Sequence, residues 1–175
     1  SKGFTEGFYY KPRVDLAVLK EYHEGIIALS ACLAGEVARY LQRGMYEDAK
    51  AAALRYQDIF GKGNFFLELQ DHGIPAQQVV NQELLRMHEE TGIDLVATND
   101  VHYTKAEDAA PHDILLCLQT NKKLADEDRM RYEGGQYYVK SPEEMAQLFP
   151  YALEALENTH KIAQRCHVEI EFGVT

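Results

Sequence analysis

The sequence predicts an α/β fold in which parallel strands are joined by crossover helices. Short apolar runs lie at residues 26–31, 65–69 and 93–98, and the stretches between them carry apolar residues at helical spacing. Gly or Pro marks most of the changes from one pattern to the other. The order strand, helices, strand, helix, strand is that of a parallel sheet with helices laid across it.

Each element has its own justification. The opening at 4–12 is rich in aromatics and Gly and shows no period, and residues 16–22 read as a short helix ending at Gly25. Ile26-Ile27-Ala28-Leu29-Ser30-Ala31 fits a buried strand, because a strand covered on both faces reads as a continuous apolar run. Val37, Tyr40 and Leu41 stand at i, i+3 and i+4 of a helix closed by Gly44. Ala49, Ala53, Tyr56 and Phe60 continue that spacing on a second helix, stopped by Gly61. Phe65 to Leu69 is the second strand. Pro75 suits the first turn of a helix whose inner stripe is Val80, Leu84 and Met87, and Gly92 ends it. Ile93 to Thr98 is the third strand.

Beyond Tyr103 the pattern becomes mainly helical. Ile114, Leu115 and Leu118 predict a helix, Tyr137 to Val139 a short strand, and residues 151–165 a last helix with Leu153, Leu156, His160 and Ala163 on one face. Ser141-Pro142-Glu143-Glu144 is a helix start, with Ser at the cap, Pro at the first helical position and Glu closing a capping box. The expected division is 1–105 for the sheet-bearing part and 106–175 for a helical connector.

Composition narrows the function. The 175 residues are 46% apolar and 26% charged, enough for one core. Eighteen Lys plus Arg against 28 Asp plus Glu leave a formal net charge of −10, which disfavours broad grip on duplex phosphates and suits metal cations or a protein partner. No apolar run approaches the ~20 residues of a membrane helix. The opening is unlike a signal peptide, and Cys32, Cys117 and Cys166 are too few and too spread for a disulfide framework, so the expected compartment is the reducing cytoplasm. The sequence has no phosphate loop, dinucleotide fingerprint, nucleophile elbow or zinc-finger spacing. The pairs Tyr9-Tyr10, Phe65-Phe66 and Tyr137-Tyr138 are read as core packing rather than base stacking, for want of a basic groove.

All three strands run into residues able to bind a metal: Cys32, then Gln70-Asp71-His72, then Asn99-Asp100-Val101-His102. In parallel α/β folds the loops at the carboxyl ends of strands converge on one rim, where ligands bind. A mixed S, N and O donor set suits Zn²⁺, and its N/O part suits Mn²⁺ or Fe. If the chain stays extended past Thr98, Asp100 and His102 face the same side. The competing readings are structural. Asp100 would cap the following helix, Cys32 would pack as a small apolar residue, and His72 would cap the turn before Pro75. Cys117 and Cys166 read as core, His112 as structural, and His23, His88, His160 and His167 as surface or packing residues.

Ala28-Leu29-Ser30-Ala31-Cys32-Leu33-Ala34-Gly35-Glu36-Val37, Phe66-Leu67-Glu68-Leu69-Gln70-Asp71-His72-Gly73 and Ala97-Thr98-Asn99-Asp100-Val101-His102-Tyr103 resemble successive blocks of one family. That family is the polymerase-and-histidinol-phosphatase (PHP) domain of bacterial DNA polymerase III alpha subunits. Gly7-Phe8-Tyr9-Tyr10-Lys11-Pro12-Arg13 and Ser141-Pro142-Glu143-Glu144-Met145 fit as well, so the resemblance spans nearly the whole chain.

The resemblance implies part of a distorted (β/α)7 PHP barrel of about seven strands, followed by the helical connector toward the polymerase body. It makes Cys32, Asp100 and His102 ligands of Zn²⁺ or Mn²⁺ in the complete domain, with His72 in a family motif as a further candidate. The intact Asp100-Val101-His102 resembles the branch that keeps its metals. The family's His-x-His strand end, its further His and Glu ligands and the polymerase's own catalytic aspartates are not among these residues.

The expected function is therefore that of a segment of a replicative DNA polymerase. Its PHP domain would be a metal-dependent phosphoesterase or 3′–5′ exonuclease, with the segment alone inactive. The expected partners are the remainder of the alpha subunit, DNA through that subunit, and a proofreading subunit; self-association through exposed strand edges is also expected. Two alternatives stand beside it: a structural or partner-docking module with a bracing metal, and a phosphoesterase for small phosphate esters.

Overall fold

A computed structural model describes residues 1–173. The chain opens with a one-turn helix α1 (Lys2–Thr5) and a two-residue hairpin, β1 (Phe8–Tyr9) against β2 (Lys11–Pro12). Tyr10 turns that hairpin at φ 58°. Tyr9 and Tyr10 are 67% and 82% exposed, which corrects the expectation that this aromatic pair packs in the core. Asp15 caps α2 (Leu16–Glu21), its carboxylate accepting the Val18 N–H at 2.9 Å.

The centre of the fold is a parallel sheet of β3 (Ala28–Leu29), β4 (Phe65–Leu69) and β5 (Leu95–Ala97), in that spatial order. Ala28 pairs with Phe65, and Leu67 with Leu95. Helices α3 (Glu36–Gln42) and α4 (Tyr46–Phe60) cross from β3 to β4, and α5 (Pro75–Thr91) crosses from β4 to β5. Phe65, Leu67 and Leu69 face one way and join Leu41, Ala53, Leu84 and Met87 in one cluster. Burying each large apolar side chain there contributes about 1.5–3 kcal/mol. Phe66, Glu68 and Gln70 alternate onto the other face. Three strands make the architecture α/β, the coarser part of the expectation; among the described residues they do not close into a barrel.

Strand β3 is shorter than the apolar run 26–31 predicts, because left-handed residues at Gly25 (φ 73°) and Ala31 (φ 65°) bend the chain on either side of it. Helix α5 has the predicted ends, Pro75 in its first turn and Gly92 left-handed after its last, with the Gly92 N–H on the His88 carbonyl.

The C-terminal third holds α6 (Ala109–Thr120), α7 (Pro142–Leu148) and α8 (Leu153–Arg165). The capping box at α7 is formed as predicted: Ser141 Oγ accepts the Glu144 N–H, and the Glu144 carboxylate accepts the Ser141 N–H. Tyr137 to Val139 is not a strand; only a single parallel bridge joins Tyr103 to Tyr138. The inner face of α8 is also rotated from the expected stripe. Ala155 is buried and Leu156 half-buried, whereas Leu153, His160 and Ala163 are exposed. The reason is tertiary: Asn158 Nδ2 donates to the Leu95 carbonyl at 2.7 Å, turning that side of α8 onto the edge of β5. Cys117 is buried as expected, but Cys166 lies just past α8 and is exposed, which corrects its reading as core. No helix among the described residues is long and apolar enough to cross a membrane.

Candidate functional site

The three strand ends point the same way, and each loop is shaped by its own local bonds. After β3, the Ser30 N–H continues the ladder onto the Phe66 carbonyl at 2.9 Å, while Ser30 Oγ accepts the Glu68 N–H at 2.8 Å. The chain then turns at Ala31, and the Gly35 N–H closes onto the Cys32 carbonyl at 2.8 Å. A Cβ on Gly35 would stand 2.4 Å from the Ser30 carbonyl oxygen, so only glycine lets the loop fold this tightly. The turn leaves Cys32 half-buried.

After β4, both Asp71 carboxylate oxygens serve the start of α5, accepting the Gly73 N–H at 2.9 Å and Gln78 Nε2 at 2.8 Å. His72 is 4% exposed, and both its ring nitrogens are engaged. Nε2 lies 3.0 Å from the Asn99 carbonyl, which can only accept, so the proton is on Nε2. Nδ1 then accepts from Gln77 Nε2 at 2.8 Å, while Gln77 Oε1 accepts the His72 backbone N–H at 2.8 Å. Burial holds the His72 imidazole below its ordinary pKa, against the opposing pull of the Asn99 carbonyl and Asp100. In this arrangement both ring nitrogens of His72 are paired within the protein.

After β5, Thr98 Oγ1 donates to the Glu68 carboxylate, joining the second and third strand ends. Asn99 is buried, and its Nδ2 donates to the carbonyls of Gln136 at 2.8 Å and Tyr138 at 2.7 Å. Asp100 has a left-handed φ of 43°, so the chain is not extended there and the alternation expected to align it with His102 does not hold. A different contact joins the two residues: His102 Nδ1–H donates to the Asp100 carbonyl at 2.6 Å. That bond places the neutral ring's proton on Nδ1 and leaves Nε2 with its lone pair free. Both residues are exposed.

A cluster of rings backs His102. Tyr132 lies 4.2 Å from it between centroids, Tyr137 meets it edge-on at 5.6 Å, and His112 is 5.7 Å away. Burial raises the pKa of the Tyr132 and Tyr137 phenols, and for both rings the negative charge of Asp100 and the thiol of Cys32 act in the same direction. Sequence reasoning missed Tyr132, Tyr137 as a site residue, and Asn99 as a clamp; nothing in their local pattern marks them. Among the described residues, no group of three or more His, Cys, Asp or Glu side chains is arranged to hold a metal ion.

A PHP domain profile matches residues 1–72. The chain is 47% identical to the DNA polymerase III subunit alpha of Deinococcus radiodurans, over 99% of this chain and 13% of that protein. It is 46% identical to the Treponema pallidum subunit over 97% of this chain and 14% of that protein. Against the Thermus aquaticus subunit it is 41% identical over 99% of this chain and 14% of that protein. The chain belongs to the DNA polymerase III alpha-subunit family. It is a segment, spanning 13–14% of the length of these curated relatives. Within this alpha-subunit segment, Cys32 and His72 lie inside the PHP match, while Asp100, His102 and Tyr132 lie beyond it.

Proposed function

We propose that this segment works within a complete alpha subunit in DNA-directed DNA synthesis, in the cytoplasm, and carries part of a metal-dependent phosphoesterase site acting as a 3′–5′ exonuclease. Cys32, Asp100 and His102 would be ligands of Zn²⁺ or Mn²⁺, with the remaining ligands and the closure of the barrel supplied elsewhere in the subunit. The observation that carries this reading is the bond from His102 Nδ1–H to the Asp100 carbonyl, because a metal-binding imidazole has its other nitrogen held in this way. A bound metal would polarise a phosphate oxygen and activate water. In this reading His72 braces the rim: it ties the end of β4 to the Asn99 carbonyl and so sets where Asp100 begins. The connector at 106–175 would lead toward the polymerase body, and its residues 136–138 also hold the rim through Asn99. DNA and a proofreading subunit would be met through the complete subunit.

The test is elemental analysis of the complete alpha subunit beside His102→Ala and Cys32→Ala variants, with hydrolysis of 3′-labelled single-stranded DNA measured in parallel. Stoichiometric Zn or Mn that falls in both variants, together with lost hydrolysis and retained polymerisation, is expected. Unchanged metal and hydrolysis in both variants would overturn the assignment.

The rim is already held by protein contacts of His72 and Asn99, which favours a second reading, a structural or partner-docking module in which any metal only braces the fold. Persistence of the fold and of partner binding after loss of both His102 and metal supports that alternative.

A further inference from the structure

The hairpin of β1 and β2 holds aromatic and cationic side chains out in solvent. Tyr9 and Tyr10 are exposed, and so are Lys11 and Arg13. Residues directly opposite in an antiparallel pair share a face, and Tyr9 stands opposite Lys11. Arg13 joins that face, its guanidinium carbon 5.7 Å from the centre of the Tyr9 ring. The Tyr10 ring meets Tyr9 edge-on at 4.7 Å. Backbone geometry holds this arrangement in place. Tyr10 turns the hairpin in a left-handed conformation that favours glycine over a bulky ring. The Arg13 N–H closes onto the Gly7 carbonyl at 3.1 Å, and a Cβ on Gly7 would collide with the Arg13 carbonyl oxygen.

Charge is uneven at the same place. Residues 7–13 carry Lys11 and Arg13 and no carboxylate, in a chain whose formal net charge is −10. Among the described residues Lys11 and Arg13 form no ion pair, whereas the neighbouring Lys2 meets Glu6 at 3.1 Å. Open rings beside unpaired cations match a single strand of nucleic acid, which offers base faces and phosphates together. A duplex keeps its base faces stacked inside. A protein covering the rings would also bury Lys11, a residue type depleted in such interfaces.

We infer that the hairpin face of Tyr9, Lys11 and Arg13 is a contact for single-stranded nucleic acid, with bases stacking on Tyr9 and Tyr10 and phosphates pairing with Lys11 and Arg13. This places a nucleic-acid contact on the segment itself. It stands apart from the hydrolytic reading, because such binding requires no metal.

The experiment is fluorescence anisotropy of a labelled oligo-dT of about 16 nucleotides in EDTA, with the full chain and its Tyr9→Phe, Tyr9→Ala and Lys11→Gln/Arg13→Gln variants. A duplex of equal length is the comparison, an oligo-U arm separates RNA from DNA as the source of the strand, and circular dichroism reports that each variant is folded. Wild type and Tyr9→Phe are expected to bind oligo-dT more tightly than duplex. Tyr9→Ala is expected to weaken binding about 5- to 100-fold. Loss of both cations is expected to weaken it too, and to make the slope of log K against log salt shallower by about 0.7 per cation. Equal affinity of wild type and folded Tyr9→Ala would overturn the inference. So would absence of binding by the folded wild type; protection of Tyr9 and Tyr10 from hydroxyl radicals in a DNA-free alpha subunit would then assign the face to a protein contact. Every arm runs without divalent metal, so the result does not depend on whether the complete subunit hydrolyses DNA.

Discussion

His72 and Tyr137 stack face to face, their ring centroids 3.9 Å apart and their planes inclined by 12°. The contact joins the loop after β4 to the segment that Asn99 holds, so one buried imidazole links three parts of the chain. Removing it leaves the Asn99 carbonyl and the Gln77 amide unpaired in a buried place. His72→Ala is expected to lower stability by roughly 2–4 kcal/mol, measured by urea unfolding at neutral pH. A loss below about 0.5 kcal/mol would mean that the stack and its two hydrogen bonds contribute little.

The same residue imposes a pH dependence. Burial lowers the folded-state pKa of His72, with Lys140 adding to the effect and Asp100 and Asp71 opposing it. In the unfolded chain His takes up a proton near its ordinary pKa of about 6.5. Above that value both states are neutral and the stability is fully present. As pH falls below it, the unfolded state binds the proton first, and stability declines until the folded-state pKa is reached. Wild type should therefore be less stable at about pH 5 than at about pH 7.5, and His72→Ala should show a flatter slope between them. Equal slopes would show that other groups set the acid sensitivity.

Gly35 controls the loop that carries Cys32. With a Cβ 2.4 Å from the Ser30 carbonyl oxygen, Gly35→Ala must push backbone against backbone. The expected cost is about 1–3 kcal/mol, with faster labelling of Cys32 by a maleimide as the loop opens. Unaltered stability and labelling would show that the loop relaxes without strain.

Away from the site, Glu90 joins α5 to α4. Its carboxylate accepts from Lys50 at 2.7 Å, Arg86 at 2.8 Å and the Tyr46 hydroxyl at 3.0 Å. These donors, Lys50 foremost, pull its pKa from 4.5 down to about 2, and Tyr46 is pushed up to about 12 chiefly by burial. Because the folded pKa is depressed, the stabilisation is present above pH 4.5 and is lost as pH falls toward 2. Glu90→Gln should lower the urea midpoint at neutral pH and low salt. The difference should narrow in about 1 M salt, where charges are screened. A midpoint shift that is the same at both salt concentrations would show that packing, not charge, holds this contact.

Sequence alone determined the elements whose causes are local. The Pro75 and Gly92 ends of α5, the Ser141–Glu144 capping box and the apolar run at β4 all act within a turn or a few residues, and each stands where its residues predict. The donor-bearing strand ends were legible for the same reason, since a parallel sheet sends its carboxyl ends to one rim.

Only the tertiary structure decided what those residues touch. Asn99 meets partners 37 and 39 residues away, and His72 meets one 27 residues away, separations over which no periodicity carries information. These contacts put Tyr132 against His102, engaged both nitrogens of His72, and left Nε2 of His102 free. The inner face of α8 was set in the same way, by Asn158 reaching Leu95 across 63 residues rather than by the helix's own apolar spacing. Hydrophobic pattern and caps choose an element's conformation, whereas the partners of its polar groups depend on where the rest of the chain returns.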